Sequence, residues 1–108
     1  MREHGNVYFI LQTSKITDEK YYKIGYSTDP EKRVRELKTG NPNTLELKYI
    51  IENVPSSFEK HMHLICDRYR VDGEWFKDSV INFLLCKSSP WFKENMIHFP
   101  IGDKEKLV

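Results

Sequence analysis

The sequence predicts a small α/β (α+β) sandwich: a three-stranded antiparallel sheet flanked by helices, in the order β-β-α-β-α-α. Three observations carry that expectation. Residues 6–12, "NVYFILQ", and 45–54, "LELKYIIENV", are β-branched and aromatic runs bounded by turn residues. Residues 29–42, "DPEKRVRELKTGNP", begin and end with helix punctuation. Beyond residue 57, apolar side chains recur at helical spacing.

The first run contains no breaker and suits a buried strand. A polar stretch from Thr13 to Lys20 reads as the connection to a second strand, "YYKIGY" (21–26), and a hairpin is the natural arrangement. Gly25 inside that strand marks a bulge, or a place where another backbone or a ligand comes close. Asp29 is a good N-cap, Pro30 fits the first helical position, and Glu31 complements the helix dipole. Val34 and Leu37 are the buried positions of this helix, which should continue to about Thr39. Gly40 is the expected residue beyond its end, and Pro42 is a stop.

The third strand alternates, with Leu45, Leu47 and Tyr49 expected on one face. A second helix, from about Ser57 to Tyr69, carries a core stripe of Phe58, Met62, Ile65 and Tyr69. Beside it runs a second stripe of Glu59, His63, Cys66 and Arg70. "VDGEWF" is expected to be a turn leading into the core aromatics Trp75 and Phe76, with Glu74 a surface charge. Residues 78–87 suit a third, short helix. The pattern divides the chain into a domain over 1–88 and a tail over 89–108 that packs on it or extends from it.

With 39% hydrophobic and 31% charged residues, the composition is ordinary for a globular domain. No run approaches the roughly 18 apolar residues of a membrane-spanning helix. The apolar run near the N-terminus is too short for a signal peptide, so an intracellular protein of cytoplasm or nucleus is expected. Cys66 and Cys86 are too few for a disulfide framework and fit no zinc spacing; both are expected reduced and at least partly buried. A formal charge of +1 gives no global electrostatic case for nucleic acid, so any such case rests on where the charge sits. It sits on the first helix, at Lys32, Arg33, Arg35 and Lys38.

In order, "NVYFI", "YKIG", "DPEKRVRELKTGNP" and "FEKHMHLICDRYRVDGEWF" resemble the GIY-YIG nuclease superfamily. The resemblance is closest to its phage-type (Orf-type DNA-binding) and meiotically-upregulated-gene-type branch, and covers residues 6 to 85. It implies a GIY-YIG-like fold and cleavage of a DNA phosphodiester with one divalent metal, Mg²⁺ or Mn²⁺. It assigns Tyr8 to the tyrosine of the first triplet, Gly25 to the glycine of the second, Arg33 to the helix arginine, and Glu59 to the metal carboxylate. His63 matches the histidine of the branch. Two positions depart from the superfamily: Asn6-Val7-Tyr8 has no glycine, and Lys23 stands where the second triplet carries its tyrosine. A small stand-alone nuclease of this kind would suit a virus or mobile element.

The chemistry implied by the resemblance requires an activated water, charge stabilisation for the transition state and help for the leaving oxygen. Glu59 would hold the metal through one carboxylate. Arg33 would set its fork of donors against phosphate oxygens. Tyr8 would orient or deprotonate the water and needs a cation nearby, because a free phenol has a pKa of about 10. Lys23 is a candidate for that cation, and His63, one turn after Glu59, for a second proton carrier. Lys32, Arg35 and Lys38 are candidate DNA-backbone contacts. Taken singly, each has an ordinary role: a core tyrosine, a solvated arginine, an i,i+4 helix pair. Three functions follow: a DNA endonuclease or nickase, a catalytically silent DNA-binding module, and a protein-interaction domain with a degenerate cleft. A homodimer is compatible with any of them.

Overall fold

Alternation along residues 5–13 places Val7 and Phe9 on one side of a strand and Tyr8 and Ile10 on the other, and all four are buried. A strand buried on both faces needs cover on both, and the helices supply it. The computed structural model describes residues 4–99. Strand β1 (Gly5–Thr13) forms a hairpin with β2 (Lys20–Ser27), in a register that sets Tyr8 opposite Gly25 and Ile10 opposite Lys23. Helix α1 (Pro30–Lys38) follows; the Asp29 carboxylate accepts from the Lys32 N–H at 3.1 Å, and Gly40 takes a φ of 76° just beyond the helix end. Strand β3 (Thr44–Val54) returns along the other edge of β1.

The expected three-stranded sheet is incorrect: the sheet has six antiparallel strands and the described residues include four α-helices. Beyond helix α2 (Ser57–Ile65), strands β4 (Arg70–Asp72) and β5 (Trp75–Lys77) add to the β2 edge. After α3 (Val80–Asn82) and α4 (Pro90–Asn95), strand β6 (Met96–His98) adds to the β3 edge. The order across the sheet is β4-β5-β2-β1-β3-β6. Each added strand has three residues, too few for an alternating pattern to emerge. "VDGEWF" is thus a hairpin rather than a simple turn, with Gly73 at a φ of 53°.

Other boundaries shift for local reasons. The second helix stops at Ile65 and continues as a 3₁₀ turn over Asp67–Tyr69. The third is a single α-turn that runs on as a π-helical turn over Phe83–Lys87. Phe9 pairs with Tyr49 but Ile10 pairs with Leu47, so Lys48 is an extra residue in β3. That bulge sends Leu45 and Leu47 to the α1 face and Tyr49 to the opposite face, against the expected single face. Cys66 is fully buried, but Cys86 is exposed, because the π-helical turn aims it at solvent.

Two apolar clusters sandwich the sheet. The larger joins Val7, Phe9, Ile24 and Ile51 to Met62 of α2, Ile81 of α3 and Phe92 of α4. The smaller packs Tyr8, Ile10 and Ile50 against Val34 and Leu37 of α1. The tail enters this architecture through α4, whose N-cap Ser89 accepts from the Trp91 N–H at 3.2 Å, and through Phe92 and Met96 in the larger cluster. Its last residues, 100–108, lie outside the described range. Among the described residues no helix is long and apolar enough to cross a membrane.

Candidate functional site

Gly25 carries no Cβ because the ring of Tyr8 occupies that space. A Cβ there would overlap the phenol oxygen and Cζ of Tyr8 and lie 2.8 Å from its Cε1. The close approach predicted as one option for Gly25 is therefore the one observed, and the approaching group is a cross-strand tyrosine. The ring is buried, and its hydroxyl reaches the guanidinium of Arg33, across from it on α1. That hydrogen-bonding contact and its charge, followed by Glu36, hold the Arg33 pKa above its ordinary value. Arg33 also pairs with Glu36 at 3.4 Å, one turn along, yet stays exposed. The cation beside Tyr8 is thus Arg33.

Lys23 faces elsewhere. Its ammonium lies 2.8 Å from the Glu74 carboxylate and 5.4 Å from the centre of the Trp75 ring. Its side chain is only 14% exposed. Glu74 is held from both ends, since its backbone carbonyl accepts the Ile24 N–H at 3.0 Å. The Ile24 carbonyl in turn accepts from His63 Nε2 at 2.9 Å. A carbonyl only accepts, so Nε2 carries a proton and Nδ1 is the nitrogen left for other work. Arg70 braces this corner, donating to the carbonyls of His63 and Gly73 and to Asp67.

Glu59 lies 3.8 Å from His63 Nε2, with its side chain 26% exposed. Burial is the main cause raising its pKa, and the Glu74 carboxylate adds to it; His63 and Lys23 pull the other way. Glu59 thus feels the charges of both members of the Lys23–Glu74 pair. Cys66, on the same stripe, is fully buried, and burial pushes its thiol up to about 12, a rise that Arg70 partly opposes.

The site has two parts, the Tyr8–Arg33 contact and the Lys23–Glu74 pair with Glu59 and His63; Lys23 lies on the α1 face of the sheet with Ile10 and Trp75, and Glu59 and His63 come from α2. The β2 segment Lys23-Ile24-Gly25 joins them. Lys32 and Arg33 line one polar cavity of about 560 Å³ with Tyr26, Ser27 and Asp29. Arg35 and Lys38 line a different groove of about 450 Å³, together with Glu31, Glu46 and Phe99. The basic helix thus divides its charge, and two of its four cations point away from Tyr8. Glu74 is the member of the site that the sequence reading set aside as a surface charge. The signal for it was the "GEWF" string itself, whose short β-strand brings the carboxylate to Lys23.

Among the described residues, no group of three or more His, Cys, Asp or Glu side chains is placed to hold a metal. A closed cage of the zinc type is not built. Glu59 is a single, partly buried carboxylate with His63 beside it at 3.8 Å.

The family model for the T5orf172 domain matches residues 5–98. No significant match was found among curated proteins or among solved structures.

Proposed function

The chain belongs to the T5orf172 domain family, a phage-type domain associated with GIY-YIG-like nucleases, and from that premise we propose that it is a metal-dependent DNA endonuclease or nickase. The observation that supports this most is the Tyr8 hydroxyl held against the Arg33 guanidinium by a contact only Gly25 permits. Arg33 lines a polar cavity, and a guanidinium so placed with a phenol against it is an arrangement suited to a phosphodiester.

In this reading Arg33 donates its fork to non-bridging phosphate oxygens and stabilises charge developing on them. Binding a phosphate would draw Arg33 from Glu36, an exposed pair of little strength. The Tyr8 hydroxyl orients the attacking water. His63, with Nε2 committed to Ile24, offers Nδ1 to carry a proton. Glu59 would hold the Mg²⁺ or Mn²⁺, which when bound supplies Lewis acidity and stabilisation of the leaving oxygen. Lys32 contributes a backbone contact from the same cavity as Arg33.

A supercoiled-plasmid assay with Mg²⁺, Mn²⁺ or EDTA tests the reading. Nicking should require the metal, vanish in Glu59→Ala, and fall by about a hundredfold or more in Arg33→Ala. Equal cutting by wild type and Glu59→Ala would refute it. A second reading, a catalytically silent DNA-binding module, is favoured by the lack of a multi-residue metal group among the described residues. Its signature is a salt-sensitive gel shift with no cutting in any metal.

A further inference from the structure

We propose that His63 is a positioning residue: its Nε2–H clamps the Ile24–Gly25 peptide where strand β5 has ended, and so seats the Tyr8 ring over Gly25. The inference rests on the reading above for what Tyr8 does, and on geometry for how His63 holds it.

Strand β2 is paired on both sides over only part of its length. On one side β1 pairs with it from Lys20 to Ser27. On the other, β5 pairs with Tyr21, Tyr22 and Lys23, and the β4–β5 hairpin turns back at Gly73, whose φ is 53°. Ile24 lies at this boundary and is fully buried. Its N–H still reaches the Glu74 carbonyl, at 3.0 Å, but among the described residues no strand pairs with β2 there to serve its own carbonyl. His63 Nε2 supplies the donor, at 2.9 Å. An imidazole from α2 thus stands in for a residue of the missing strand, and the acceptor is satisfied.

The bond matters beyond Ile24 because of the peptide it grips. The Ile24 carbonyl and the Gly25 N–H belong to one planar trans unit and point in opposite directions. With the carbonyl turned to α2, the Gly25 N–H is turned to β1, where Gly25 stands opposite Tyr8. Gly25 is also the residue whose missing Cβ leaves the room that the Tyr8 ring fills. Tilting this peptide therefore moves the floor under the ring. The clamp is itself held in place: the His63 ring lies edge-on to Phe76, 5.3 Å between centres, and its backbone carbonyl accepts from Arg70 at 3.3 Å.

Glutamine separates this role from any proton carried on Nδ1. Its side-chain amide presents an N–H close to where Nε2 stands, and it does not titrate. Leucine fills the space against Phe76 and donates nothing.

The test measures amide hydrogen exchange and the Gly25 α-proton shifts by NMR in wild type, His63→Leu, His63→Ala and His63→Gln. The α-protons sense the ring current of Tyr8, so they report whether the ring keeps its seat. Loss of the donor in His63→Leu and His63→Ala should speed exchange at Gly25 by about tenfold more than at Ile50, in β3 between β1 and β6. The α-proton shifts should move toward those of a glycine with no ring beside it. In His63→Gln both should return to near the wild-type values. Exchange that rises equally at Gly25 and Ile50, unmoved α-proton shifts, or a His63→Gln that behaves as His63→Leu does, overturns the proposal. Neither readout needs DNA or metal, so a wild type that does not nick removes the reading of Tyr8 and leaves the clamp to be judged on these results.

Discussion

The two halves of the cleft are built by different forces. On the α1 side, Tyr8 is placed by shape: its ring fills the space over Gly25 and packs in the cluster with Ile10 and Val34. In the other half, Lys23, Glu74, Glu59 and His63 are placed by charge and hydrogen bonds, and every one remains at least partly accessible to solvent. A sterically fixed half should fail when volume changes and ignore pH. An electrostatically balanced half should tolerate isosteric changes in stability and respond to pH and salt.

The largest effect is expected where shape decides. Gly25→Ala should displace the Tyr8 ring, cost about 1–3 kcal/mol of stability by overpacking, and abolish nicking; a denaturant midpoint near that of wild type would show that the ring has room. Tyr8→Phe keeps the ring and removes only the hydroxyl. It should change stability by about 1 kcal/mol or less and leave DNA affinity close to wild type while cutting is lost. Removal of the Asp29 cap by Asp29→Ala should cost about 1 kcal/mol, and it loosens the helix that presents Arg33.

For the balanced half, pH supplies the test. The folded-state pKa of Glu59 is raised, chiefly by burial, so above that pKa the folded protein carries a carboxylate it would hold more easily protonated. Its contribution to stability is therefore unfavourable at neutral pH and is relieved as pH falls through the raised pKa toward the ordinary carboxylate range. Glu59→Gln should then melt higher than wild type at pH 7, by about a few degrees at most, with the gap closing on acidification. A gap that widens as pH falls would reverse the sign of the account. The smallest effects belong to Arg35→Ala and Lys38→Ala. They should leave the salt slope of DNA binding near that of wild type, whereas Lys32→Ala reduces it by about one unit.

What could be read from the sequence was whatever repeats or punctuates. Val7 to Ile10, the Asp29-Pro30 start and the Phe58-Met62-Ile65 stripe announce themselves through period or cap chemistry. Gly25 was legible as an anomaly in a strand, although its cause, a tyrosine in the facing strand, needs the register of the hairpin. The three-residue strands were not legible, since Trp75–Lys77 and Met96–His98 form because an edge is available rather than because their sequences demand it. The bulge at Lys48 was hidden for a similar reason: it depends on how two strands align. Glu74 went unrecognised because its role rests on a contact 51 residues away in the chain.

The central claim is that the Tyr8–Arg33 contact acts on a DNA phosphodiester. Its most direct test is plasmid nicking by Tyr8→Phe alongside wild type in Mn²⁺, with DNA binding measured on the same samples. The account predicts that wild type nicks, while Tyr8→Phe binds DNA equally well and does not nick. Nicking by Tyr8→Phe at the wild-type rate, or none by wild type in any metal, would contradict it.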